Sequence, residues 1–440
     1  MELIAENSIL HKLADENRSI VPDSLTKIRE SASDKLQSTP FPTRKDEDWR
    51  FTDLKPITRT EFQLIDYSEA IKPDFDASQY FIPESQNSRL VFINGKFNEK
   101  LSSIQGLNEG VTIGNLSDNF DDEPVKQYLG HLANYEDDVF TPFNTVYFSD
   151  GAYIHIGKDV SAESPIQILN LYSDTGNPFV TTPRTLLVAE EGANATIIEE
   201  HIGPDENEYM TIPVGEFKLK RNSHIHHVRI IRDNEKAVHV SRPAAYLENK
   251  AEYHSYTITL GARLSRNEPK VMMEEEDVKF TVDGLVLIDG DQIADTHSVL
   301  DHRFPFAESH QLHKVVVNGS AHSIFNGKIF VRKDAQKIDS FQENRNLLLS
   351  MEGLVNTKPQ LEIFADDVLC SHGATIGQLD PEEVFYLQSR GMTEQKAKEV
   401  LTYAFALETI ENIEVDSVHK LLIDEVKKYT ATNNVQKVTA

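Results

Sequence analysis

The segment SHIHHVRII, residues 223–231, follows the turn pair Arg221-Asn222 and decides the fold. The same order of a turn pair, a small or polar residue and a β-branched or aromatic run recurs along the chain. It recurs as AYIHI (152–156), ANATII (193–198), AEYHSYTI (251–258) and SAHSIF (320–325). Short runs of this composition bounded by turn residues are typical of strands. The pattern therefore predicts an all-β region from about residue 88 to residue 350.

The turn pairs indicate how these strands are arranged. They are Asp150-Gly151, Glu191-Gly192, Arg221-Asn222, Glu248-Asn249, Asp289-Gly290 and Asn318-Gly319, and they lie 27 to 41 residues apart. A degenerate repeat of strand and turn suits a β-solenoid, in which each coil buries its apolar face against its neighbours. A β-sandwich or jelly roll is the alternative. It is less favoured because about 260 residues of strand signal without a helix is long for one sandwich.

Helical patterns flank the β region on both sides. Residues 1–87 predict an N-terminal helical domain, 88–350 the solenoid core and 351–440 a C-terminal helical domain. In the last of these, Asp380 followed by Pro381 has the form of a helix start, and Gly391 of a helix end. Thr393 can cap a second helix, and a third is expected from Asp416.

Composition excludes several classes of function. The 440 residues contain 44 Lys and Arg against 71 Asp and Glu, a net charge of −27 that repels nucleic acid and anionic membrane surfaces. The single cysteine, Cys370, rules out an internal disulfide, a four-thiolate zinc site and an iron–sulfur cluster held by this chain alone. The sequence has no P-loop, no dinucleotide-binding glycine motif and no apolar run long enough to span a membrane. With no secretory signal pattern at its start, the chain is expected to be cytoplasmic.

Two groups of residues carry the chemistry that metal binding would need. Histidines are concentrated in one stretch, with a second group at His224, His226 and His227; the stretch contains His297, His302, His310, His313 and His322. Imidazole is a common metal ligand, so a solenoid metalloenzyme that uses this stretch is one hypothesis. Histidines that are simply hydrogen-bonded on strands are the plainer interpretation.

Cys370 and His372 form the second group. In an extended segment the two side chains project to the same side, where an imidazolium would favour the thiolate. Two ligands are too few for a closed metal site, so the remaining donors must come from another segment or another chain. A buried, unreactive cysteine is the alternative.

Two longer segments resemble the SufB/SufD family of iron–sulfur cluster assembly scaffolds. They are FVRKDAQKIDSFQENRNLLLS (330–350) and KPQLEIFADDVLCSHGATIGQLDPEEVFYLQSRG (358–391). The segment RKDEDWRFTDLKP (44–56), which contains the only tryptophan, Trp49, resembles the SufD branch of that family. The small number of cysteines agrees with that branch.

The resemblance implies a right-handed parallel β-helix between helical domains, and a complex with a SufB-like scaffold and a SufC-like ATPase. It implies that Cys370 and His372 lie near a nascent cluster at the SufB interface, with His372 the metal-handling residue. It places SufC docking on the C-terminal helices, at Val384, Phe385, Tyr386, Leu387, Arg390, Leu401 and Phe405. The expected function is a non-catalytic scaffold with no stably bound cofactor, which meets iron or a cluster transiently in the complex. A homodimer and a purely structural β-helix stay open as alternatives.

Overall fold

The computed structural model describes Leu10, Leu13 and residues 23–65, 75–133, 138–204 and 206–432. Most of the helix expected within the first 22 residues lies outside this range, as does the polar tail after residue 432.

The described helices are α1 (Asp23–Ser38), α2 (Lys55–Thr58), α3 (Glu123–Tyr128), α4 (Phe140–Tyr147), α5 (Pro381–Ser389), α6 (Glu394–Ile410) and α7 (Asp416–Thr432), with 3₁₀ turns at Glu47–Trp49, Ala77–Tyr80 and Pro83–Ser85. The strands of the first half are β1 (Gln63–Leu64), β2 (Ser88–Ile93), β3 (Lys96–Phe97), β4 (Ser103–Ile104), β5 (Val111–Asn115), β6 (Gly151–Ile156), β7 (Ile166–Leu171), β8 (Phe179–Thr181), β9 (Arg184–Ala189), β10 (Asn194–Ile202), β11 (Tyr209–Thr211) and β12 (Val214–Leu219). Those of the second half are β13 (His224–Arg232), β14 (Val238–Leu247), β15 (Glu252–Thr259), β16 (Leu264–Asn267), β17 (Lys270–Met273), β18 (Lys279–Ile288), β19 (Ile293–His302), β20 (Glu308–Val317), β21 (His322–Val331), β22 (Asp339–Leu348), β23 (Leu354–Ile363) and β24 (Leu369–Gly377).

The strands form two sheets that confirm the predicted solenoid. Sheet A runs β23-β21-β19-β16-β14-β12-β9-β6-β5, and sheet B runs β24-β22-β20-β18-β15-β13-β10-β7-β2-β3. Along the solenoid, the chain passes alternately through sheet A and sheet B, with two short strands of sheet A in some coils, and its strands pair in parallel with the equivalent strands of the next coil. The chain therefore winds through about eight coils around a common interior, which we call the lumen.

The irregular spacing of the turn pairs has a structural cause. One corner of the solenoid carries a residue with positive φ in each successive coil, and these residues lie 27 to 33 residues apart: Asp159, Gly192, Asn222, Lys250, Asp277, Phe306 and Lys337. Each amide can donate to the next coil at the same level, as Gly192 does to Arg221 at 2.9 Å. Gly290 and Gly319 belong to the opposite corner, between sheet B and sheet A. The turn pairs found in the sequence come from two different corners of the solenoid. Within one corner, the spacing between turns is nearly constant.

Helices cover the outer faces of both sheets. The N-terminal segments and α4 pack on sheet A, where Trp49 and Phe140 join an apolar cluster with strand residues such as Val240. Helices α6 and α7 pack on sheet B, through residues such as Ile410 and Leu422. The predicted helix starts are confirmed: Asp380 accepts from the Glu382 amide at 2.8 Å, and Thr393 accepts from the Lys396 amide at 3.1 Å.

One expectation about the C-terminal region is wrong. Helices were expected directly after residue 350, but β23 and β24 follow, and α5 begins only at Pro381. The reason is that the last coil has neighbours on one side only. Its strands are therefore largely exposed and lack the apolar alternation that marks the inner coils.

Candidate functional site at the open end of the solenoid

Strands β23 and β24 form the terminal coil, and each ends its sheet. In the described part of the chain each is therefore hydrogen-bonded along one edge only, which leaves a row of backbone donors and acceptors on the other. Large apolar side chains on and beside this coil are half or more exposed: Met351, Leu354, Phe364, Leu369 and Ile376. An exposed strand edge with apolar side chains is a ready template for pairing with another chain.

Cys370 and His372 lie on β24 and face the lumen. Their Cα partners on β22 are Ser340 and Gln342, both buried, whereas Phe341 between them is exposed on the outer face. Since side chains of paired residues in neighbouring strands point the same way, Cys370 and His372 share the inward side. This confirms that the two side chains project together, and it places them at the mouth of the lumen.

The environment of Cys370 differs from the expected one. The thiol is half-buried against the apolar cluster of the lumen, and this burial, with a contribution from the Asp339 carboxylate, raises its pKa. Among the described contacts no hydrogen bond joins Cys370 to His372. The thiol is thus held in its neutral form, and only an added cation, such as a metal ion, would favour the thiolate.

Two polar ladders lie directly beneath the pair. Below Cys370, the Ser340 and Ser309 hydroxyls are hydrogen-bonded at 2.7 Å, and His302 Nε2 lies 3.0 Å from Ser309 Oγ. Below His372, Gln342 Nε2 donates to Gln311 Oε1 at 2.8 Å. No motif in the sequence marks these residues, although the inward positions Ser340, Gln342 and Asn344 alternate along β22. Strand β22, directly beneath the candidate residues, thus presents polar side chains to the lumen.

The first C-terminal helix presents aromatic side chains to solvent. In α5, Phe385 is 70% and Tyr386 56% exposed, while Val384 is buried. Arg390 donates from Nη2 to the Tyr386 hydroxyl at 3.1 Å, and its guanidinium lies 5.2 Å from that ring's centroid. Phe385, Tyr386 and Arg390 thus form one accessible surface, which we call the α5 face.

The other residues of the expected docking set have different surroundings. Leu387 and Leu401 are half-buried. Phe405 packs toward sheet B, where the Lys314 ammonium lies 4.6 Å from its ring centroid and donates to its carbonyl at 2.9 Å. Phe405 therefore anchors the helical domain to the solenoid, Val384 is buried, and the exposed part of the set is the α5 face.

The histidine stretch does not form one site. His302 and His313 point into the lumen, where burial lowers the pKa of each to about 4. His310 lies on the outer face of sheet B, near Asp283, while His297 and His322 lie on sheet A. Within the ranges that the structure describes, no group of three His, Cys, Asp or Glu side chains has the arrangement of a metal site.

The segment around Trp49 packs across the outer face of sheet A. The Trp49 ring stacks on Phe140 at 5.5 Å, and the Arg266 guanidinium lies 3.7 Å from its centroid. Arg266 donates to the Asp48 carbonyl at 2.9 Å and pairs with the fully buried Asp295. Because a buried arginine needs such partners, this segment completes an ion network of the solenoid wall. The motif has no physical explanation in the sequence alone, because Phe140, Arg266 and Asp295 are all distant from it along the chain.

In the described part of the chain, no helix combines the length and the apolar character needed to cross a bilayer.

Comparison with known proteins defines the class. Residues 171–405 match the family model of the SUF system FeS cluster assembly SufBD core domain, and residues 9–168 match the SufBD protein N-terminal region. The chain therefore belongs to the SufBD family of iron–sulfur cluster assembly proteins.

Individual relatives are similar along almost the whole length. The iron–sulfur cluster assembly SufBD family protein slr0076 of Synechocystis is 36% identical over 407 residues, 90% of this chain and 88% of the relative. The Escherichia coli iron–sulfur cluster assembly protein SufD is 29% identical over 394 residues, 89% and 90% of the two chains. The chloroplastic protein ABCI7 of Arabidopsis thaliana is 31% identical over 397 residues, 88% and 82% of the two chains. The recognition made from the motifs at 44–56 and 358–391 is confirmed.

Proposed function

We propose that this chain is a non-catalytic scaffold subunit of a SufBCD-type complex in the cytoplasm. Its terminal coil pairs with a SufB-like chain, and its α5 face docks a SufC-like ATPase. The observation that carries the proposal is the coincidence of Cys370 and His372 with an unpaired strand edge. Two ligands cannot close a metal site, so a pairing edge beside them is where a partner would supply the others.

In this proposal iron or a nascent cluster is cargo rather than a resident cofactor. His372 is exposed and can ligate through a bare ring nitrogen, whereas the neutral Cys370 thiol loses its proton only when a cation approaches. His372 is therefore the first contact for iron, and Cys370 is a second ligand that follows. ATP hydrolysis belongs to the docked partner.

The cluster site is tested by His372→Ala in the complex co-expressed with SufB-like and SufC-like chains. We expect the complex to stay intact while the iron and acid-labile sulfide that it assembles fall by about tenfold or more, as for loss of a metal ligand. His322→Ala is the matched control, because His322 is a half-buried strand histidine on sheet A. Wild-type iron and sulfide content in His372→Ala would refute the assignment.

The docking surface is tested by Phe385→Asp. Loss of an exposed aromatic anchor costs about 2 kcal/mol or more, which is about 30-fold in affinity for the ATPase. Phe306→Asp is the control, since Phe306 is also an exposed aromatic residue, 55% accessible, on a solenoid corner. Equal ATPase binding by the two variants would place the docking surface elsewhere.

A further inference from the structure

The side-chain oxygen of Gln342 is a buried hydrogen-bond acceptor with no donor among the described residues. Its side chain is fully buried in the lumen one coil below His372, and its amide nitrogen donates away from β24, to Gln311 Oε1 at 2.8 Å. Gln311 in turn donates to Ser298 Oγ at 2.8 Å and accepts from the same hydroxyl at 3.1 Å. Gln342 Oε1 is left buried without a partner. A buried acceptor without a donor is unfavourable, which indicates that a donor is missing.

The opposite wall of the lumen is shaped to hold this side chain. Gly327 lies inward on β21, and a Cβ there would stand 2.4 Å from Gln342 Nε2 and 2.6 Å from the Phe325 ring. Gly327 has no positive φ, so its backbone does not require glycine. A glycine inside a strand commonly marks close approach of another group. Here the group is the Gln342 amide.

The strand register identifies the donor. His372 is the Cα partner of Gln342, on the same inward side, and neighbouring strands lie about 4.8 Å apart. A change of the His372 side-chain rotamer would therefore bring an imidazole N–H to Gln342 Oε1. Within the described contacts neither ring nitrogen of His372 has another partner.

The geometry points to Gln342 as the positioning residue for His372: it accepts one imidazole N–H, fixes the tautomer and ring plane, and leaves the other ring nitrogen bare toward the open end. Metal-binding histidines usually donate their second nitrogen to such an acceptor. Gly327 acts one step further back, by keeping the Gln342 amide in place. The inference deepens the proposed function and rests on it for the role of the bare nitrogen.

The test observes the imidazole N–H directly. The full-length chain is labelled with ring-¹⁵N histidine and examined by NMR, both alone and in the complex with unlabelled partners. The His372 signal is assigned by its loss in His372→Ala. An imidazole proton that is hydrogen-bonded exchanges slowly enough to be seen, whereas a freely solvated one does not. We expect the signal in the wild type and in Gln342→Glu, which keeps an acceptor, and its loss in Gln342→Leu.

Gly327→Ala provides an independent variant, because it displaces Gln342 without changing its chemistry, and it should also lose the signal. In the assembled complex, Gln342→Leu should reduce cluster assembly by about tenfold while Gln342→Glu retains it. Persistence of the N–H signal in Gln342→Leu, or its absence from the wild type both alone and in the complex, overturns the inference.

The two proposals fail separately. If His372→Ala assembles clusters normally while the N–H signal still depends on Gln342, the proposed function fails and the positioning contact stands. If His372→Ala loses assembly while Gln342→Leu keeps the N–H signal, the function stands and the positioning contact is wrong.

Discussion

His313 shows how burial sets chemistry at single residues. Its ring lies over Gly284, where a Cβ would stand 2.4 Å from Nδ1, and it stacks on Phe325 at 4.7 Å. Burial lowers its pKa from 6.5 to about 4, so the folded protein keeps the ring neutral. His302, beneath Cys370, has the same shift for the same reason. These two lumen imidazoles are thus kept neutral, and protonation of either would place a positive charge in the interior.

The sign of the pH dependence follows. Between pH 6.5 and about 4, His313 binds a proton in the unfolded chain but not in the folded chain. The contribution of the neutral ring to the free energy of unfolding is therefore fully present above pH 6.5 and is lost as the pH falls. A shift of this size corresponds to as much as about 3 kcal/mol of unfolding free energy. His313→Gln should therefore lose less stability than the wild type when urea unfolding at pH 7 is compared with pH 4.5. His224→Gln, a control at a half-buried histidine on the outer face of sheet B, should keep the wild-type difference, and an unchanged difference in His313→Gln would contradict the prediction.

For single residues, the sequence predicted the side of a strand on which a side chain lies better than it predicted the groups around that side chain. The two-residue period of a strand correctly placed Cys370 and His372 on the same side of β24. It could not predict that burial raises the Cys370 pKa, or that Gln342 is held by Gly327, because those effects depend on the opposite wall of the lumen. The mid-strand glycine was the available signal.

Among the elements, α6 shows how the helical domain is fixed to the solenoid. Lys314 on β20 is 2% exposed, and its ammonium contacts Glu408 of α6 and the Phe405 carbonyl. Arg345 on β22 also donates to Glu408, at 3.1 Å. One carboxylate of the helix therefore binds cations from two successive coils, immediately below the coil that carries Cys370.

Glu408→Ala should destabilise the attachment of α6. The change leaves the buried Lys314 ammonium with one carbonyl as partner, and we expect a loss of about 2 kcal/mol, moderated by the partial exposure of Glu408. Hydrogen exchange of α6 and α7 amides measures the effect locally. Lys314→Met combined with Glu408→Ala should recover part of the protection, since no buried charge remains. Equal exchange in Glu408→Ala and wild type would show that apolar packing alone attaches the helix.

The elements were predictable where local chemistry defines them. Asp380 and Thr393 marked helix starts that the structure contains, because a cap is a contact within four residues. The boundary after residue 350 was wrong because strands at the end of a stack lose the alternation that identifies inner strands. The turns of the two corners could not be separated in the sequence for a related reason. Which corner a turn belongs to is known only once the path of the chain through the coils is known.

The whole molecule is asymmetric from end to end. At its first coil, sheet A ends in β5, which is antiparallel to β6, and sheet B ends in β2 with the short antiparallel strands β3 and β4. These reversals close the N-terminal end. At the other end the described chain places no strand on β23 or β24. Natural proteins protect sheet edges, so an edge left open with apolar side chains is available for pairing with another chain.

Substitutions in the terminal coil should therefore prevent this chain from associating with another chain through its open end. Leu369 is 73% and Ile376 50% exposed on β24, so Leu369→Lys and Ile376→Lys place charges at the edge without removing core packing. We expect the isolated wild-type chain to form dimers in sedimentation experiments, with both variants monomeric. Under the proposed function the same edge pairs with a SufB-like chain, so both variants should also fail to capture it. Ile104→Lys is the matched control, since Ile104 is 38% exposed on β4 at the closed end. Dimers or SufB capture retained in both edge variants would show that the open coil is not the pairing surface.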